Sequence, residues 1–210
     1  AEDRLAVLCQ AILPWFADDP RESFADWFVH SSPRVREVAV IAVGTHRLAE
    51  QTGAVRARLS DEAGDVRVAA AWALDRLGAG EEAVLATRRA LESTSAEEVR
   101  DALWVLASSK DQELLAAAAL LLEDVRPDVR AAAAHAVSAR GSEEAVAGVA
   151  RLLGDAAACR YYASGHSLLA EGTVDRAARA HLARRIGREL ANDPEAARAE
   201  VREWLEARGR

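Results

Sequence analysis

The chain has 210 residues and a net charge of −7, and half of its residues are apolar although only 5% are aromatic. This acidic balance argues against a protein that coats nucleic acid or an anionic membrane, because such partners select a basic surface. Two cysteines far apart in the sequence form neither a disulfide framework nor a metal-ligand cluster. With no signal-peptide pattern and no apolar run of membrane-spanning length, we expect a soluble cytoplasmic protein.

Apolar residues spaced three and four apart predict a series of short amphipathic helices. The first spans residues 3–13 and ends at Pro14. The predicted pairs that follow are 20–30 with a helix starting at Val35, 48–59 with 65–77, 81–91 with 97–107, 112–122 with 128–139, and 143–153 with 157–170. Residues 173–191 and 194–208 then form a longer, Arg-rich pair. Strand-forming residues do not alternate over a useful run, so we expect no strand.

A Val-Arg pair recurs near the start of the second helix of each predicted pair. It occurs at Val35-Arg36, Val66-Arg67, Val99-Arg100 and Val129-Arg130, with Cys159-Arg160 as a weaker fifth copy. The copies are 31, 33, 30 and 30 residues apart. A period of this size indicates stacked supersecondary units that share one continuous core.

The phrases around these pairs, PRVREVAVIAV, GDVRVAAAWAL, EEVRDALWVL and PDVRAAAAHAV, resemble HEAT repeats, especially the short bacterial HEAT-like kind. The resemblance covers residues 20–172. It implies an all-α fold, a right-handed α-solenoid (an armadillo-like superhelix) of about five helical pairs. We expect one domain over 1–210, capped by helices at 1–19 and 173–210, because an array needs a polar outer face at each end.

The same resemblance implies that the second helix of each pair lines the concave side. It also implies a polar ladder between repeats, formed by the acid that precedes each Val-Arg pair. The residues at this acidic position are Asp65, Glu98 and Asp128. The copies at Arg36 and Arg160 lack the acid, so the ladder is in doubt at both ends.

Positions +2, +5, +6 and +9 from each anchor valine are predicted to face the concave groove. They supply Trp72 and Asp75, Asp101 and Trp104, and His135 in three adjacent repeats. Around them lie small residues, namely Ala71, Ala131, Ala134 and Ser138. Large aromatic rings among small neighbours, with charges at the rim, predict a binding site. The alternative is that both tryptophans pack between repeats.

The repeated arginines are a second candidate for binding. Arg67, Arg100 and Arg130, with Arg36 and Arg160 at the ends, could bind phosphates or an acidic peptide. The alternative is that they pair with acids at the starts of their own and neighbouring helices. In the weakest repeat, Tyr161, Tyr162 and His166 either close one end of the groove or refill lost core volume.

Catalytic and metal-binding motifs are missing from the sequence. There is no HExxH, CxxC or Walker loop, and the Gly165–Leu169 stretch lacks the second glycine of a nucleophile elbow. The five histidines have no ligand spacing, so we predict no catalytic residue, metal or cofactor.

We therefore predict a non-enzymatic scaffold or adaptor that binds a protein or peptide segment on its concave face. The enzymatic alternative is a HEAT-like DNA glycosylase acting on alkylated bases. Some enzymes of that fold use tryptophan and aspartate side chains on the concave face, and this set resembles Trp72, Asp75, Asp101 and Trp104. The acidic charge makes nucleic acid an unfavourable partner. A third hypothesis, a lyase-type helper that attaches a chromophore, has no residue of its own to support it.

Overall fold

The computed structural model describes residues 25–107, 110–162 and 169–208. The predicted helix over 3–13 and the start of the helix at Pro20 lie outside these residues, as do Gly165 and His166. The chain divides into two compact units, residues 1–98 and 99–210, and the boundary falls within one helix.

The described part of the first unit, from residue 25 onward, consists of helices joined by short corners. After a helical turn at 25–28, its helices are α1 (Pro33–His46), α2 (Thr52–Ala57), α3 (Gly64–Arg76) and α4 (Gly80–Leu91), followed by the start of α5 (Ala96–Leu106). Short 3-10 turns at Ala49–Gln51 and Arg58–Ser60 flank α2. The predicted helix over 48–59 is therefore present as three short helical segments.

Helix α3 shows how the repeat phrase folds. Its predicted apolar stripe is buried from Val66 to Leu74, and the helix packs against both α1 and α4. Asp65 lies in its first turn, where a negative charge interacts favourably with the positive end of the helix dipole. The helix ends before Gly78, whose φ of 87° is a left-handed conformation that glycine adopts without strain. Ala71 is also buried, so the small residues here do not line an open groove.

The second unit is built around one alanine-rich helix. Its elements are α5, α6 (Gln112–Leu120) with a 3-10 turn at Leu121–Glu123, α7 (Pro127–Arg140), α8 (Glu143–Ala150), β1 (Ala158–Tyr162), β2 (Leu169–Thr173), α9 (Val174–Ile186) and α10 (Pro194–Arg208). Helix α7 contacts α6, α8, α9 and β1. Because it is surrounded, its residues Ala131 and Ala134 are fully buried, and the prediction that they line a groove is wrong.

A β-hairpin takes the place of the helix predicted over 157–170. Strands β1 and β2 are antiparallel, with Cys159 opposite Gly172 and Tyr161 opposite Ala170. Cys159 and Tyr161 are buried against the unit while Arg160 between them is exposed, which is the two-residue alternation of a strand. The expectation of no strand is therefore wrong at this position.

The hairpin still carries the weak fifth anchor. Cys159 is buried at the position where three other repeats bury Val66, Val99 and Val129, and β1 packs on α7. The backbone amide of Arg160 donates to Oδ1 of Asp128 over 2.8 Å. Burial, together with the charges of Asp128 and Asp155, raises the pKa of the Cys159 thiol to about 11, so this cysteine is a buried, protonated thiol.

The last two helices cover the end of the second unit. Val174, Ala177, Ala178 and Leu182 of α9 are fully buried, whereas the charged residues of α10 point largely to solvent. Arg198 of α10 donates to the carbonyl oxygens of Ala150 and Leu153, at the end of α8. Among the residues that the structure describes, no helix is both long and apolar enough to cross a membrane.

Candidate binding site

The guanidinium group of the arginine after an anchor valine bonds to two different parts of the chain. Nη1 of Arg36 donates to the carbonyl oxygens of His30 (2.7 Å) and Ser31 (3.2 Å), in the corner before its own helix. Its Nε and Nη2 donate to the two carboxylate oxygens of Asp61, at 2.9 and 2.7 Å. The side chains of this bidentate pair are only 6% and 3% exposed.

The same arrangement recurs at two further anchors. Arg67 donates to the carbonyl of Asp61 at 2.7 Å and bidentately to Glu98 at 2.9 and 2.7 Å. Arg130 donates to the carbonyl of Asp124 at 2.8 Å and to Asp155 at 2.9 Å. Each guanidinium thus joins the corner of its own repeat to an acid of the following one.

These contacts shift the pKa values of the acids. Burial would raise the pKa of Asp61, but hydrogen bonds from Arg36 and the amide of Ala63 lower it below its ordinary value. Burial would also raise the pKa of Glu98, but hydrogen bonds from Arg67 and Ser93 outweigh burial, so this pKa is lowered as well. Both acids stay ionised in the folded protein.

Arg36, Arg67 and Arg130 therefore join repeats, as in the alternative that the sequence left open. The ladder differs in part from the predicted one. Glu98 takes part as expected, but the exposed Asp65 is replaced by Asp61, which lies five residues before Val66. Arg100 is buried and bonded to Asp101 at 2.9 Å, and Arg160 lies 3.6 Å from Asp128.

Trp72 lies half-buried on the first unit. Its ring covers Gly44 of α1 so closely that a Cβ on that glycine would come within 2.6 Å of Cζ3. The guanidinium of Arg76 lies over the ring, 5.1 Å from its centroid, and its Nε donates to the carbonyl of Gly44 at 2.9 Å. Asp75 beside it is exposed. Part of the ring therefore packs on the core and part faces solvent.

The second unit holds the other predicted site residues. Trp104 on α5 is 36% exposed, and Asp101, one turn earlier on the same helix, is half-buried and ion-paired with Arg100. Residues three apart lie on the same side of a helix, so Asp101 and Trp104 form one local surface. His135 lies on α7, where its ring contacts His181 of α9.

His135 and His181 form a contacting pair of tilted rings between α7 and α9. Their Nδ1 atoms are 3.4 Å apart and their ring centroids 4.7 Å apart. Burial, with the charge of Arg184, lowers the pKa of His135 to about 4. Burial, with His135 and Arg184, lowers that of His181 to about 3. Both imidazoles are therefore neutral at pH 7.

A cavity of about 300 Å³ opens beside this pair. It is lined by His135, Ser138, Ala139, His181, Arg184 and Arg185. Sequence reasoning identified His135 but not its partners on α9. One signal was present: Val174, Ala177, Ala178 and Leu182 define the buried stripe of α9, and His181 falls within it.

Comparison with known proteins identifies the repeat. Residues 22–107 match the family model for HEAT repeats. A chain from the structure of the complex of CpcE and CpcF of phycocyanin lyase from Nostoc sp. PCC7120 is similar, with a TM-score of 0.51 and 24% identity. The match covers 78% of the present chain and 65% of the solved one, so the chain spans less than two thirds of that neighbour. No curated protein matches the sequence.

These similarities establish the fold. Residues 22–107 match HEAT repeats, and the fold is that of an all-α helical-repeat solenoid with one β-hairpin. At 24% identity the likeness to the lyase chain shows the fold alone.

Proposed function

We propose that this protein is a non-enzymatic scaffold whose second helices hold a segment of a partner protein. The observation that carries the proposal is the exposure of Trp104. Trp104 remains 36% exposed although Val99, Ala102, Leu103 and Leu106 of the same helix are all buried. Large aromatic side chains that stay partly open on a rigid helix are typical anchors of protein interfaces.

The immediate surroundings of Trp104 suit such a role. Asp101 shares its face of α5, and the ion pair with Arg100 fixes the carboxylate in place. An apolar ring beside an oriented polar group offers both burial and a directional contact. In the first unit, Trp72 with Arg76 and the exposed Asp75 offers a second surface of similar composition.

The fold supports binding of a protein rather than a small substrate. HEAT arrays present extended surfaces built from repeated helices, which suit the capture of polypeptide segments. The similar solved chain belongs to a complex of two proteins, CpcE and CpcF. Association with a protein partner is the only part of that description which we extend to this chain.

The two other hypotheses have less support from the described residues. A DNA glycosylase must bind DNA, and the net charge of −7 opposes such binding. Asp101, one of its two candidate carboxylates, is engaged by Arg100. The lyase-type hypothesis gains a neighbour of similar fold, but no described side chain favours bond formation over binding.

The proposal is tested by substituting Trp104 in the full chain. Partners captured from the native lysate would first be identified, and the affinity of the purified partner then measured. We expect Trp104→Ala to weaken binding by roughly 2 kcal/mol or more, as central aromatic anchors do. Trp204→Ala is the matched control, since Trp204 is a half-buried tryptophan of α10 that lies under Arg208.

Circular dichroism and denaturant unfolding of each variant separate a binding defect from a folding defect. A folded Trp104→Ala variant that binds the partner as tightly as the parent would contradict the proposal. Release of alkylated bases from duplex DNA by the parent protein would instead support the glycosylase.

A further inference from the structure

The cavity between α7 and α9 is lined almost entirely by side chains that donate hydrogen bonds. Helix α9 contributes His181, Arg184 and Arg185, and α7 contributes His135 and Ser138. Its volume of about 300 Å³ suits a compact ligand or the end of a larger one.

The protonation of His181 follows from its partners. Nη2 of Arg184 lies 3.0 Å from Nδ1 of His181. An arginine can only donate, so this nitrogen accepts, and the proton of the neutral ring is on Nε2. Nδ1 of His135, at 3.4 Å, is then a second donor to the same atom.

Two buried polar groups at the cavity lack partners. Nε2 of His181 and Oγ of Ser138 have no hydrogen-bond partner among the described residues. Their side chains belong to residues that are only 3% and 4% exposed. A buried donor without an acceptor is destabilising, so the wall of the cavity keeps hydrogen-bonding capacity that the protein itself does not satisfy.

The charge of the cavity has one sign. Arg185 donates to two neutral backbone groups, the carbonyl oxygens of Ala139 and Gly141 at the end of α7, both at 3.3 Å. Within the part of the chain that the structure describes, neither Arg184 nor Arg185 has a carboxylate partner, and no carboxylate lines the cavity. Two guanidinium groups repel a cation, so the histidine pair is not a metal site.

We propose that this cavity binds an oxyanion, a carboxylate or phosphate group whose oxygens accept from Arg184 and Arg185. Guanidinium groups match the geometry of both anions. The site is distinct from the surface around Trp104, and it stands whether or not the scaffold proposal holds.

The test is a titration of the full chain with sodium phosphate, and separately with sodium acetate, followed by NMR of the histidine rings. Ionic strength is held constant with sodium chloride at pH 7. We expect saturable shifts of the His135 and His181 signals, while the exposed His46 does not respond. Saturation by phosphate alone points to a phosphorylated ligand, and saturation by acetate alone to a carboxylate.

Arg184→Gln should weaken the binding by about tenfold or more, the effect of losing one charge-assisted hydrogen bond. Arg202→Gln removes the same charge from an exposed position on α10 and should leave the dissociation constant unchanged. The NMR spectra themselves show that each variant is folded. Shifts that do not saturate, or an equal affinity in Arg184→Gln, would overturn the proposal.

Discussion

Burial keeps His135 and His181 neutral, and this makes the stability of the protein depend on pH. The pKa values are lowered to about 4 for His135 and about 3 for His181. Histidines in an unfolded chain titrate near 6.5. As the pH falls below about 6.5, these histidines bind protons in the unfolded chain but not in the folded one, so the free energy of unfolding decreases. The loss ends once the pH falls below the folded values.

We therefore expect stability to fall between pH 7 and pH 5, by up to about 1.4 kcal/mol per pH unit for each histidine. Denaturant unfolding at pH 7, 6 and 5, in buffers without phosphate or carboxylate, measures this slope. His135→Gln should reduce it. Gly53→Ala is the control, because it changes no titratable group and should leave the slope unchanged.

The buried acids act in the same direction but at lower pH. The pKa values of Asp61 and Glu98 are lowered from 3.8 and 4.5, so their contributions are lost only as the pH falls below those values. The range from pH 7 to 5 therefore isolates the histidines. An unchanged slope in a variant that lacks both histidines would show that they are not the cause.

At the scale of single residues, the sequence predicted one member of the histidine pair. His135 was identified by its position relative to Val129, because the helical period fixes which residues share a face. His181 lies 46 residues further along the chain, and no local period relates the two. Such pairs arise from the packing of two helices, which spacing within one helix does not reveal.

At the scale of elements, helices with clear apolar stripes were predicted closely. The structure has Gly80–Leu91 where 81–91 was predicted, and Pro194–Arg208 where 194–208 was predicted. The failure at 157–170 has a specific cause. The period of about 30 residues favoured a fifth helix, whereas the local sequence, with adjacent tyrosines and Gly172 in the second strand, favoured a hairpin.

Two helical glycines of the first unit allow a matched test of the packing. A Cβ on Gly44 would lie 2.9 Å from Cα of Ala73 and 2.6 Å from the Trp72 ring, whereas a Cβ on Gly53 meets nothing within 4 Å. Gly44→Ala should therefore destabilise the protein by about 1–3 kcal/mol through overpacking. Gly53→Ala should stabilise it by about 0.5 kcal/mol, because alanine favours helix.

Denaturant titration measures the change in the free energy of unfolding that each substitution causes. The two changes should have opposite signs. A neutral effect of Gly44→Ala would show that α1 and α3 are not in close contact beneath Trp72. It would also mean that more of the Trp72 ring is available to a partner than the structure shows.

At the scale of the whole molecule, the repeat period predicted the stacking of helical pairs, because each pair alone leaves an apolar face exposed. The period does not predict where the chain divides into compact units. The boundary lies between Glu98 and Val99, inside one copy of the repeat phrase. A single continuous domain over 1–210 stays a prediction.

This prediction can be tested with two core leucines, one in each unit. Leu74 and Leu182 are both fully buried, and replacing either with alanine should cost roughly 2–5 kcal/mol through the cavity that it leaves. Because repeats are stabilised mainly by their neighbours, we expect the loss of protection to be local. Amide hydrogen exchange should show it in α1, α3 and α4 for Leu74→Ala, the helices that contact each other there. For Leu182→Ala it should lie in α7, α9 and the hairpin. A uniform loss of protection from residue 25 to residue 208 in either variant would mean instead that the array unfolds as one block.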